Sequence, residues 1–368
     1  MARLTGMAPA SHPLLVLAVA LALAVSFGGC LGGEKRTEWA FGITQLDEVG
    51  NRTGRGVTVA VLDTGVNVGH PSLDHLVDGD PEDGELVAFR DFLAGREGVE
   101  AAYDDDGHGS HVIGILSARG SSRADKFWYG GVDLRGGSPG VSLVVARVCD
   151  ANACDANAIP EAIRWAVLEE GADILSLSLG GQSTLPDLFD DVLQTDLEAA
   201  LNEALDRGVV VVASAGNEGP DNDDVSTPAD LPDVIAVGAI GRDGKVADLS
   251  SRGDDAGNPC RDLLLQTLGR CDPDKKPELV APGVEILSSW SGDGYRLATG
   301  TSQATPFVTA VIAILLEGHP QLRDRADVVE LKTALVESAR PVAGQAEPHD
   351  EAAGYGIVQA RAALQAYG

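Results

Sequence analysis

Residues 57–65 read Val-Thr-Val-Ala-Val-Leu-Asp-Thr-Gly. The first six are apolar almost throughout, which predicts a strand buried on both faces, as in a parallel sheet. Asp63-Thr64-Gly65 then closes the strand with turn-forming residues. Outward from here, strand and helix signals alternate. Val112–Ala118 predicts a helix, Leu143–Arg147 a strand, and Pro160–Glu170 a helix with proline near its start, where the missing N–H costs least. Strand Ile174–Ser178, helix Leu197–Arg207, and strands Val209–Ser214 and Val234–Val237 follow. Helices Thr305–Glu317 and Ala326–Ser338 complete the series. Such alternation gives an α/β fold in a single domain, a mostly parallel sheet with helices on both faces. The acidic stretches Asp78–Glu85 and Asp221–Asp224 read as loops, and no internal repeat is visible.

The composition fits this architecture. An apolar fraction of 44% over 368 residues is ample for a packed core, and abundant Gly and Ala suit helices lying close on a sheet. The 56 acidic residues outweigh 27 basic ones, for a formal charge of −29. That field repels nucleic acid and anionic membrane surfaces, so nucleic-acid binding is excluded as a role.

Residues 14–27 form a nearly unbroken apolar run that ends at Gly28-Gly29-Cys30. It is shorter than the roughly 18 residues of a spanning helix and fits the apolar region of a signal peptide over residues 1–29. Small residues before Cys30 predict lipid attachment at that cysteine, with residues 30–37 as a tether and 38–368 as the folded domain. Membrane contact is then expected only through this N-terminal lipid or an uncleaved anchor. Four further cysteines remain, and an exported chain permits disulfides among them. Three connectivities are possible, and pairing of the near neighbours Cys149/Cys154 and Cys260/Cys271 is the expectation. Neither spacing suits a zinc site. Nothing in the sequence bears on oligomeric state.

Three residues stand out as chemistry. Asp63 follows a buried strand, at the sheet edge where active sites collect. His108 lies in Asp104-Asp-Asp-Gly-His-Gly-Ser-His111, and Ser302 in Gly300-Thr-Ser-Gln-Ala-Thr-Pro. A serine hydroxyl is a poor nucleophile unless a base lies within reach and a carboxylate orients that base. Each residue also has a plainer reading: a turn for Asp63, and a helix cap for Ser302. The pair His108/His111 lacks the glutamate and the four-residue spacing of a zinc peptidase, so His111 reads as a packed structural histidine. An α/β-hydrolase needs its acid and histidine after the serine. Only His319 and His349 follow Ser302, which leaves that rival without room.

With the order Asp, His, Ser, the segments Val-Leu-Asp63-Thr-Gly, Gly-His108-Gly-Ser-His111 and Gly-Thr-Ser302-Gln-Ala-Thr-Pro resemble the subtilisin-like serine peptidases, from about Glu38 to the chain end. The resemblance implies an Asp63–His108–Ser302 triad acting through an acyl-enzyme on polypeptides bound in extended form, with no catalytic cofactor. It implies that the amide of Asn217, in Ala215-Gly-Asn217-Glu218-Gly, donates to the oxyanion. It also implies that Ser178-Leu179-Gly180 pairs with the substrate as an added strand, and that Glu218 and Ser226 lie at the rim and floor of the main specificity pocket. A serine floor implies moderately broad cleavage after apolar or long side chains. Structural calcium is common in the family, and the acidic loops are where it would sit. Ser110, Gln303, Phe307 and Ala310 replace the family's usual Thr, Met, His and Gly without removing a reacting group. The stretch between Cys30 and Asp63 is too short for the usual pro-domain, so the protein is expected either to fold without an attached chaperone domain or to rely on one supplied elsewhere. The rival of another class is a catalytically inactive member of this fold serving as a binding or scaffold lipoprotein.

Overall fold

The computed structural model describes residues 33–80, 84–120, 134–179, 187–221, 224–253, 272–319, 322–345 and 348–368. Ten strands occur among them: β1 (Thr58–Asp63), β2 (Glu85–Asp91), β3 (Arg96–Glu97), β4 (Ser142–Arg147), β5 (Ile174–Leu177), β6 (Val210–Ser214), β7 (Ile235–Ile240), β8 (Leu279–Pro282), β9 (Ile286–Ser289) and β10 (Tyr295–Ala298). The helices are α1 (Gly33–Thr44), α2 (His108–Ser117), α3 (Ala158–Arg164), α4 (Asp187–Asp206), α5 (Thr301–Leu316), α6 (Arg325–Glu337) and α7 (Ala360–Tyr367). Eight strands form one sheet in the order β3-β2-β4-β1-β5-β6-β7-β8. Its pairings are parallel except that between β2 and β3. Strands β9 and β10 make a separate antiparallel hairpin.

The expected α/β fold is therefore present, with strands β5 to β8 buried along their whole length. Helix α5 lies at the centre. All its residues except Ser302 are buried, and it contacts β5, β6, β7, β8, α2 and α7. A helix apolar on every side belongs in such a place.

Several boundaries differ from the reading of the sequence. Glu85, taken as the end of an acidic loop, opens β2, whose burial alternates along the chain. Residues 33–37, read as tether, are the first turn of α1, and Trp39 and Phe41 further along it pack on the core. The helix predicted over Pro160–Glu170 is α3 followed by a wider turn of π type at Trp165–Glu169. The segment Ser142–Arg147 runs beside β1 with Asp63 opposite Arg147, so β1, β4, β5 and β6 deliver their carboxyl ends to one edge of the sheet. The apolar run 14–27, Cys30, Gly180, Cys260 and Cys271 lie outside the described residues. Among those described, no helix is long and apolar enough to cross a membrane.

Candidate active site

Asp63 ends β1 and is 1% exposed. Its Oδ1 accepts the Thr64 N–H at 2.7 Å and lies 2.8 Å from His108 Nδ1. An ionised carboxylate only accepts, so Nδ1 carries the proton and Nε2 of neutral His108 keeps its lone pair. Burial works against a charged His108. The Asp63 charge and hydrogen bond, then the charges of Asp106 and Asp104, outweigh it and raise the imidazole above its usual range.

His108 is the first residue of α2, and the turn before it is organised by Asp104. Asp104 Oδ1 accepts from Thr64 Oγ1 (2.9 Å), Gly107 N (2.8 Å) and Asp106 N (3.2 Å). Its Oδ2 accepts from Ser110 N (2.8 Å) and Ser110 Oγ (2.7 Å). Thr64 Oγ1 in turn accepts from Gly109 N at 2.9 Å, joining the end of β1 to the start of α2. The two segments approach closely enough that a Cβ on Gly109 would stand 2.2 Å from the Gly65 carbonyl oxygen, so the spacing demands glycine. His111 is fully buried, with Nε2 3.1 Å from the Ile286 carbonyl and 3.0 Å from that of Arg296. Burial pushes its pKa down to about 4. It is the structural histidine expected.

Ser302 stands in the first turn of α5. Among the described hydrogen bonds, its Oγ donates to the Ser178 carbonyl at 3.1 Å, and none joins it to His108. Ser178 Oγ donates back to the Ser302 carbonyl at 3.0 Å. Asn217 follows β6, and its Oδ1 accepts from Thr301 N (2.8 Å) and Thr301 Oγ1 (3.1 Å). That orientation leaves the Nδ2 side of the amide to donate beside the start of α5, where backbone N–H groups and the helix dipole also favour negative charge. Phe307 is buried edge-on against Phe41 of α1, with ring centroids 5.8 Å apart.

Of the residues assigned to substrate, Ser178 and Leu179 are buried just past the end of β5, and the Leu179 carbonyl accepts from Ser214 Oγ at 3.3 Å. Glu218 Oε2 accepts from Ser226 Oγ (3.1 Å) and from Ser251 Oγ (2.8 Å). Sequence reasoning missed Asp104, Thr64 and Ser251 as parts of this region. The Asp-Asp-Asp-Gly turn was the visible signal for the first. Cys149 and Cys154 form the expected disulfide. The bridge begins beside the site, since Val148 N and Cys149 N both donate to the Asp63 carbonyl, at 3.0 and 3.2 Å. Among the described residues, no group of three or more His, Cys, Asp or Glu is arranged to hold a metal ion.

The subtilase family profile matches residues 54–356. Serine protease AprX of Bacillus subtilis (strain 168) is 31% identical over 298 residues, covering 73% of this chain and 59% of that protein. Subtilisin amylosacchariticus of Bacillus subtilis subsp. amylosacchariticus is 30% identical over 283 residues, covering 75% of this chain and 60% of its own length. The match thus takes in about 60% of the length of these two relatives. The major intracellular serine protease of Bacillus subtilis (strain 168) is 32% identical over 267 residues, 71% of this chain and 69% of the relative. With the family profile extending over residues 54–356, most of the chain, the protein belongs to the subtilase family.

Proposed function

We propose that this protein is a serine endopeptidase in which Ser302 is the nucleophile, His108 the general base and Asp63 the residue that orients His108 and stabilises its protonated form. The observation carrying this reading is the 2.8 Å contact between Asp63 Oδ1 and His108 Nδ1 on a buried carboxylate. It leaves Nε2 as the only basic atom of the ring. Ser302 Oγ leaves the Ser178 carbonyl, gives its proton to His108 Nε2 and attacks the scissile carbonyl carbon. Negative charge then develops on the carbonyl oxygen, where the Ser302 N–H and Asn217 Nδ2 donate. His108 returns the proton to the departing amine as the C–N bond breaks. Water, deprotonated by the same Nε2, attacks the acyl carbon, and His108 gives that proton to Ser302 Oγ as the ester bond breaks. The nucleophile, the base and the oxyanion donors all come from the chain itself.

Polypeptide substrates bind in extended form along Ser178-Leu179-Gly180, the first two of which follow the last paired residue of β5. Glu218 and Ser226 border the pocket for the side chain before the cut. The apolar run 14–27 and the small residues before Cys30 support export with lipid attachment at Cys30. The test is labelling of residues 31–368 with a fluorophosphonate, read by intact mass. One adduct is expected, absent from Ser302→Ala and from heat-unfolded protein. A folded protein that takes no adduct would overturn the reading and favour a scaffold role.

A further inference from the structure

We propose that Ser178 is a positioning residue for the nucleophile, its hydroxyl standing in for the helical N–H that Pro306 lacks. The inference rests on the reading of Ser302 as that nucleophile. In an α-helix the N–H of residue 306 would donate to the carbonyl of residue 302. Pro306 lies inside α5, has no N–H, and its ring crowds the carbonyl four residues before it. The Ser302 carbonyl is therefore deprived of its usual helical partner. Ser178 Oγ meets it at 3.0 Å.

Ser178 is well placed to act as a fixed reference. It is 4% exposed and directly follows β5, a strand buried throughout. The exchange is reciprocal, because Ser302 Oγ rests on the Ser178 carbonyl at 3.1 Å. Two opposed hydrogen bonds thus register the backbone and the hydroxyl of Ser302 against one residue of the sheet. The preceding residue is gripped from the other side, since Thr301 N and Oγ1 both meet Asn217 Oδ1, and Thr301 Oγ1 also pairs with the Gly216 backbone. The first turn of α5 is held between the ends of β5 and β6. Pro306 thereby turns an ordinary helical carbonyl into an attachment point, and Ser178 is what attaches to it.

A double-mutant cycle tests this, read as the fluorophosphonate labelling rate and as kcat and KM on a peptide substrate. Ser178→Ala should lower the maximal labelling rate and kcat about tenfold, the scale of one lost hydrogen bond to a carbonyl, with KM within about twofold. Pro306→Ala restores an N–H at the right position. In that background Ser178→Ala should cost less than about twofold, because the helix now supplies the donor. Ser178→Thr keeps a hydroxyl and should label faster than Ser178→Ala. Equal losses in both backgrounds, no loss in Ser178→Ala, or Ser178→Thr labelling as slowly as Ser178→Ala would each overturn the proposal. Wild-type protein that takes no label would instead remove the nucleophile reading on which it stands.

Discussion

Asp104 takes hydrogen bonds from five donors, three on Oδ1 and two on Oδ2. A carboxylate offers two accepting oxygens with about four lone-pair sites, so the longest contact, from Asp106 N at 3.2 Å, shares a site on Oδ1, whereas an amide keeps one accepting oxygen. Its charge also helps to raise His108. The base must be neutral to accept the Ser302 proton, so activity climbs as pH rises through the His108 pKa. Removing the Asp104 charge lowers that pKa. In Asp104→Asn the acid limb of the kcat/KM profile should therefore move to lower pH, while the plateau falls about tenfold as the turn loosens. An unmoved limb in a pH–rate titration would show that Asp104 supports the fold without reaching the base.

At the scale of elements, the far side of the sheet holds a second ionic arrangement. Glu278, at the threshold of β8, offers Oε1 to Lys276 Nζ and Lys332 Nζ, each at 2.7 Å, while Oε2 accepts the Ala236 N–H. All three charged side chains are fully buried, and Lys332 also meets Asp274. Burial pushes Lys276 down to about 8. Glu278→Ala leaves two buried ammonium groups short of a partner, and should cost about 3–5 kcal/mol in urea unfolding. A loss under about 1 kcal/mol would mean that the lysines reach other acceptors. Nothing in the sequence joins Lys332 to Glu278, because α6 and β8 meet only after folding. The same limit explains the elements that went unread. Strand β1 was legible because apolar residues run along it unbroken. Strand β2 mixes buried and exposed positions, and β8 is only four residues long and ends in Pro282. Asp63, His108 and Ser302 were legible through their short flanking motifs. The hold of Asp104 on Thr64 and of Ser178 on Ser302 was not, since those partners come from distant segments.

Over the whole molecule, the chain closes on itself near its two ends. The Ile43 carbonyl at the end of α1 accepts from Gln359 Nε2 at 2.7 Å, Gln45 Oε1 accepts from Ala362 N, and Glu48 pairs with Arg361. Between these ends lies α5, enclosed by sheet and helices. Its interior amides have no route to solvent that leaves its neighbours in place, so they should exchange only through global unfolding. Native-state hydrogen exchange in graded urea checks this. Residues 308–316 should share the slowest rates and the full denaturant dependence, and a smaller dependence there would reveal a partial opening. A peptidase lives among copies of itself, and self-cleavage starts at exposed loops. On the proposed reading of Ser302, the nucleophile is mounted on the helix expected to open last, and a molecule nicked in its loops would keep its cutting edge. Loss of activity on ageing should then follow the melting of whole molecules and lag behind the first breaks in the chain.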